Sequence, residues 1–203
     1  MKKISFETEE EWMEARKGKI TGSTLGDVIT LRGNGKKVGY WQLLADRLSI
    51  APDEENPLDR GHRLEEEAMA RFEKETGKEV DASLLMWVRD DNESIAISPD
   101  GIIGEYECVE IKCLKSAKHL EAYFTQKIPD EYYYQVLQYF IVNDSLETLY
   151  FVMYDPRVLV KDYFVLTMTR AELGEEITKF LEYQRVTIEE INRMTNELTL
   201  DNF

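Results

Sequence analysis

In "SPDGIIGEYECVEIKC", Ser98 to Cys113, an aspartate occupies a Pro-Asp-Gly turn and, ten positions later, Glu110 and Lys112 flank a single isoleucine in an otherwise apolar run. Side chains two apart on a strand project from one face, and the pairing of adjacent strands can bring Asp100 beside Glu110. Two carboxylates would then meet beside an ammonium. Hard divalent cations such as Mg²⁺ take one or two carboxylates together with substrate phosphate oxygens, and the backbone carbonyl of Ile111 is a further acceptable ligand. A metal held by Asp100, Glu110 and Ile111 would polarise a phosphoryl group and acidify its bound water, with Lys112 placed to orient that water or to take its proton. The same residues also fit a solvated ion pair between Glu110 and Lys112 with Asp100 as a plain turn residue. The apolar flanks of the strand favour the first reading.

The elements that must position these groups follow from periodicity and punctuation. Thr8 with Glu11 forms a capping-box pattern that predicts a helix from about Thr8 to Lys17, ended by Gly18. Ser23 or Thr24 then caps a short second helix whose first N–H groups are free to meet an anion. "GYWQLLADRLSI" has helical spacing, "APDEENPLD" reads as a surface loop, and "LDRGHRLEEEAMARFEKETGK" is a strong helix with a Thr-Gly stop. Three β-type runs follow, "LLMWVR" and "SIAIS" joined as a hairpin by "DDNE", then "ECVEIKC". On the last, alternation assigns Val109, Ile111 and Cys113 to the core and places Cys108 next to the polar row. "SAKHLEAYF" and "DEYYYQVLQYFIV" are helical, "TLYFVMYDP" and "DYFVLTMT" are a further antiparallel pair, and the chain from Arg170 closes as a long helix. This order predicts an α/β fold, a central mixed sheet flanked by helices, in one domain over residues 1–203.

Composition narrows the function. With 203 residues and 43% of them hydrophobic, the chain can bury a sizeable core. No run approaches the roughly 20 apolar residues that a membrane span needs, so a soluble, intracellular protein is expected. The two cysteines, Cys108 and Cys113, are too few for a disulfide framework or a four-thiolate cluster, and both are expected to be reduced. A net charge of −15 argues against holding nucleic acid by bulk electrostatics. Local attraction remains open, because cations gather around Arg16 to Lys19, at Lys36–Lys37 and at Lys115–Lys118.

Asp, a gap, then Glu-x-Lys resembles the signature of the PD-(D/E)xK nuclease fold, here Pro99-Asp100 and Glu110-Ile111-Lys112. The surroundings resemble one branch of it, the lambda-type alkaline exonucleases or YqaJ-type viral recombinases, over about Trp12 to Tyr139. "WMEARKGKITGS" is similar to that branch's Trp, Arg and Ile-Thr-small-Ser opening. "GHRLEEEAMARFEKETG" matches its Gly-x-x-x-Glu helix at Glu65, and "YYYQVLQYF" carries the Gln-x-x-x-Tyr pattern, Gln135 and Tyr139, shared with RecB-type nucleases. The branch usually has a second glutamine two residues after the first; here Leu137 stands there and Gln138 comes one step late.

The resemblance implies a Mg²⁺-dependent exonuclease of phage type, with Mn²⁺ able to substitute. Asp100, Glu110, Ile111 and Glu65 would hold the metal, and Asp100, Glu110, Lys112 and Gln135 would carry catalysis. Arg16, Ser23 and Tyr139 would bind DNA or its terminal 5′-phosphate. It further implies linear double-stranded DNA ends as substrate, 5′ to 3′ polarity, a single-strand annealing protein as partner in recombination, and a homotrimer. Two alternatives stay open: a restriction- or RecB-like endonuclease of the same fold, and a non-enzymatic acidic DNA mimic or inhibitor. His62 and His119 lack metal-pair spacing and read as surface or supporting residues. Trp12, Trp41 and Trp87 read as core, although Trp41 beside Lys36–Lys37 could reach DNA.

Overall fold

A computed structural model of the chain describes residues 7–16, 25–28, 35–48, 50 and 57–200. The helices are α1 (Glu9–Arg16), α2 (Leu25–Val28), α3 (Val38–Leu48), α4 (Pro57–Thr76), α5 (Ser116–Thr125), α6 (Asp130–Val142) and α7 (Arg170–Leu200). The strands are β1 (Trp87–Arg89), β2 (Asn92–Ile97), β3 (Gly101–Ile103), β4 (Glu107–Lys112), β5 (Thr148–Tyr154) and β6 (Tyr163–Thr169). The class is the expected α/β. β1 and β2 form the antiparallel hairpin read from the sequence, and a four-stranded sheet runs β3-β4-β5-β6. β3 was not foreseen. It is only three residues long, too short for a two-residue period to register, and it is held by antiparallel pairing with β4 and by a bridge from Asp81 to Ile102.

The chain divides into two compact units built from interleaved segments, residues 1–68, 112–127 and 153–164 in the first and 69–111, 128–152 and 165–203 in the second. In the first unit, Trp41, Ala45, Ala117, Leu120 and Val158 form a buried cluster. The Thr8 cap is made, with the Glu11 N–H donating to Thr8 Oγ1 at 3.1 Å. Ser23 lies outside the described residues, as do the side chains of Arg16, Trp12 and His62. Trp41 is a core residue as expected. His119 is not at the surface: it is fully buried, and its Nε2 lies 2.8 Å from the Lys161 carbonyl. The long β5–β6 turn brings that carbonyl to α5, a contact 42 residues apart that local spacing does not encode.

In the second unit, β4 is buried on both faces: Cys108, Val109, Glu110 and Ile111 are all within 2% of full burial. Alternation cannot sort core from solvent when neither side meets water. Cys113, expected in the core, is half-buried, while Cys108 lies beside Glu110 as expected and is itself wholly buried. Gly77, at φ +69°, ends α4 in the left-handed region, its N–H donating to the Glu73 carbonyl at 2.8 Å. Gly101 is required for close approach, because a Cβ there would meet Val80 Cγ1 at 2.3 Å and Met69 Cε at 2.9 Å.

Candidate active site

The register of β3 against β4 sets the site. Gly101 faces Val109, so Asp100, one residue before β3, comes level with Glu110. The Asp100 carboxylate is docked on the strand itself: its Oδ2 accepts the Ile111 N–H at 2.7 Å. A turn residue with a solvated side chain would not make that bond. Glu110 is 1% exposed. Moving a carboxylate from water to such a place costs several kcal/mol, about what two hydrogen bonds to a charged acceptor at about 1.5–3 kcal/mol each return.

Two such bonds come from α6. Gln135 Nε2 donates to Glu110 Oε1 at 2.6 Å, and one turn later the Tyr139 hydroxyl donates to Oε2. Helical spacing of four puts the two donors on one face, where they grip both oxygens of the same carboxylate. The Ser98 carbonyl also lies 3.1 Å from the Tyr139 oxygen, but one hydroxyl proton serves the charged acceptor first. Burial, reinforced by the charges of Glu110 and Asp100, pushes the Tyr139 hydroxyl far above the ordinary phenol range, so it stays protonated and donating. The Cys108 thiol is driven up by the same causes in the same order, burial first. Both groups register a concentration of negative charge at low dielectric, the field in which a cation is bound.

Tyr139 does not reach outward for a phosphate as the resemblance implied; it is fully buried and its hydroxyl is spent on Glu110. Gln138 also finds its role. Its Nε2 donates to the Ala96 carbonyl at 3.3 Å and its Oε1 accepts from Gln184 at 2.8 Å, tying α6 to β2 and α7, while Leu137 is core.

What holds α6 in register was not legible in the sequence. Arg89 is buried, donates to the Ile141 carbonyl, and pairs both terminal nitrogens with Asp144 at 2.9 and 3.0 Å. Arg170 donates to the carbonyls of Leu146 at 2.7 Å, Phe140 at 2.7 Å and Asn143 at 2.6 Å. Two guanidiniums thus satisfy the orphan carbonyls at the helix C-terminus, where cations are favoured. Asp130 and Glu131 occupy the opposite, N-terminal end. Their sequence neighbours announce nothing of this, since the partners lie 24 to 55 residues away.

Lys112 follows Ile111 as the last residue of β4 and is half-buried; Glu65 is half-buried on α4 between fully buried Leu64 and exposed Glu66. Both belong to the first unit. Among the described residues no three His, Cys, Asp or Glu side chains gather as a closed metal cage. The Asp100 and Glu110 carboxylates, level on neighbouring strands with Asp100 docked on the Ile111 N–H, are hard oxygens that leave several positions to water and phosphate. That set fits Mg²⁺ and does not fit a zinc-type site.

A buried glutamate oriented by a Gln-x-x-x-Tyr helix, level with a half-buried aspartate at a strand hairpin, is the arrangement of a PD-(D/E)xK nuclease core. The YqaJ-like viral recombinase domain matches residues 11–145, and the chain belongs to that family. It is similar to the crystal structure of an alkaline exonuclease, LHK-Exo, from Laribacter hongkongensis, with 31% identity over 93% of this chain and 99% of that one at a TM-score of 0.54. It is similar also to LHK-Exo in complex with dAMP, at 31% identity over the same shares and a TM-score of 0.55. No curated protein matches the chain.

Proposed function

We propose that the chain is a Mg²⁺-dependent exodeoxyribonuclease that hydrolyses one strand at the ends of linear double-stranded DNA. Family membership and the likeness to LHK-Exo support the exonuclease. The observation that carries the chemistry is the docking of Asp100 on the Ile111 N–H level with Glu110, a buried acid oriented from both sides. When bound by Asp100, Glu110 and the Ile111 carbonyl, Mg²⁺ or Mn²⁺ supplies charge to a scissile phosphate and acidity to a water. Gln135 and Tyr139 hold Glu110 in one rotamer, so that little reorganisation is needed when substrate arrives. By their motif positions, Lys112 orients the attacking water or receives its proton, and Glu65 adds a carboxylate for the cation. By the family's motif, Arg16 and Ser23 take the terminal 5′-phosphate, by a guanidinium and a hydroxyl.

The finer features rest on the family alone: 5′ to 3′ polarity, a homotrimer, phage-type recombination with a single-strand annealing protein in a bacterial cytoplasm. A ring of subunits would reconcile a charge of −15 with DNA binding by confining cations to its channel. No helix among the described residues is long and apolar enough to cross a membrane.

The test is digestion of linear and covalently closed duplex DNA by the wild type and by Lys112→Ala, with Mg²⁺ and with EDTA. Loss of the linear substrate only, dependent on metal and on Lys112, is expected. Cleavage of circles points to an endonuclease of the same fold, and inertness toward both substrates to an acidic binding module.

A further inference from the structure

In the first unit, five side chains from three segments make a continuous aromatic and cationic row. Lys36 Nζ lies 5.1 Å from the centroid of Trp41. Trp41 stacks on Phe124 at 6.1 Å with 23° between the planes, and Phe124 meets Tyr123 edge-on at 5.3 Å. Lys161 Nζ closes the row 5.4 Å from the Tyr123 ring. Trp41 is buried beneath, whereas Phe124 is 56% exposed. A ring braced on one side by a core tryptophan is left with more than half of its surface in water.

We propose that this row is a stacking platform for unpaired DNA. A phenylalanine held rigid by Trp41 offers a π-face that any base can cover, and Lys36 and Lys161, one at each end, supply phosphate neutralisation along the strand. Local cations with aromatics between them are what single-strand binding needs, and in a chain of net charge −15 they give the attraction that bulk charge denies. A protein ligand docking by apolar contact alone would gain nothing from a lysine at each end. The ligand class is single-stranded DNA read without sequence preference. The choice of DNA rests on the exonuclease reading, since an enzyme that digests one strand of a duplex leaves the other unpaired.

The experiment measures fluorescence anisotropy in EDTA, where no strand is digested, using labelled oligo-dT and an abasic oligonucleotide of equal length and charge. The wild type is expected to bind oligo-dT about tenfold more tightly than the abasic strand, the value of one stacked base. Phe124→Ala removes that preference, Phe124→Trp retains it, and Lys36→Ala or Lys161→Ala weakens both ligands alike. Equal binding of the two oligonucleotides by the wild type, or a preference that survives Phe124→Ala in a variant with native circular dichroism, overturns the platform. The same preparations are assayed on linear duplex with Mg²⁺. Digestion without base preference sinks the platform alone; base preference without digestion sinks the exonuclease reading alone.

Discussion

Glu110 and Asp155 are both buried carboxylates, 1% and 0% exposed, one in each compact unit. Asp155 is tied to a cation on its own turn: Arg157 donates from Nε at 2.7 Å and from a terminal nitrogen at 3.0 Å. The Ser116 hydroxyl adds a bond at 2.6 Å, and Arg157 goes on to the Leu114 carbonyl at 3.2 Å. That acid is neutralised in place, and what it does is lock the β5–β6 turn to the start of α5. The donors from α6 to Glu110 are an amide and a phenol, which orient a carboxylate without cancelling its charge. Equal burial therefore serves opposite ends. At Asp155 a guanidinium grips the buried acid, and at Glu110 an amide and a phenol from α6 set the orientation of both oxygens.

Exchange of each acid for its amide is the strongest test of that distinction. Glu110→Gln should lower the rate of linear-duplex digestion by about 10³-fold or more, as loss of a positioned charge at a reacting centre does, while the melting temperature does not fall. Asp155→Asn should do the reverse. It leaves half-buried Arg157 without its counter-charge and is expected to cost about 3 kcal/mol in denaturant unfolding, with the metal concentration for half-maximal digestion unchanged in the folded fraction. If both variants lose activity at equal stability, the distinction is wrong.

Tyr139→Phe sharpens the comparison. It removes one of the two donors that α6 gives Glu110 and keeps the ring, so a loss of about tenfold in kcat, with little change in KM for DNA, is expected from steady-state kinetics. A change confined to KM would instead return Tyr139 to DNA binding. Gly101→Ala probes the register that brings Asp100 level with Glu110: the added methyl collides with Val80 and Met69, and a cost of about 1–3 kcal/mol by chemical denaturation is expected.

The smallest effect concerns His119, in the unit of Asp155. Burial makes its imidazole harder to protonate than a free one. As pH falls below about 6.5 the unfolded chain takes up a proton that the folded chain resists, so the stability contributed by the neutral ring is complete above that pH and declines beneath it. Melting temperatures of the wild type and His119→Gln should therefore converge as pH drops from about 7 to about 5. A gap that stays constant means the ring does not titrate in this way.

Much of this site was legible because its information is short in range. Asp100, Glu110 and Lys112 sit within one hairpin, Gln135 and Tyr139 one turn apart on one helix, and the Thr8 and Thr76-Gly77 signals mark helix ends with the residues that cap or break them. The errors have a common cause as well. His119 and Tyr139 were each assigned by local pattern, and each is buried with its polar atom on a partner far along the chain.

By itself, then, the order of residues determined the element types, the α/β class and which side chains are chemically fit to bind a hard cation, since propensity, capping and periodicity act over a few residues. Only tertiary packing decided which buried acid is gripped by a guanidinium and which by the donors of α6, which aromatic is a hidden donor and which an open surface. Those outcomes depend on solvent exclusion and on partners 24 to 55 residues distant, quantities that come into being when the chain closes on itself.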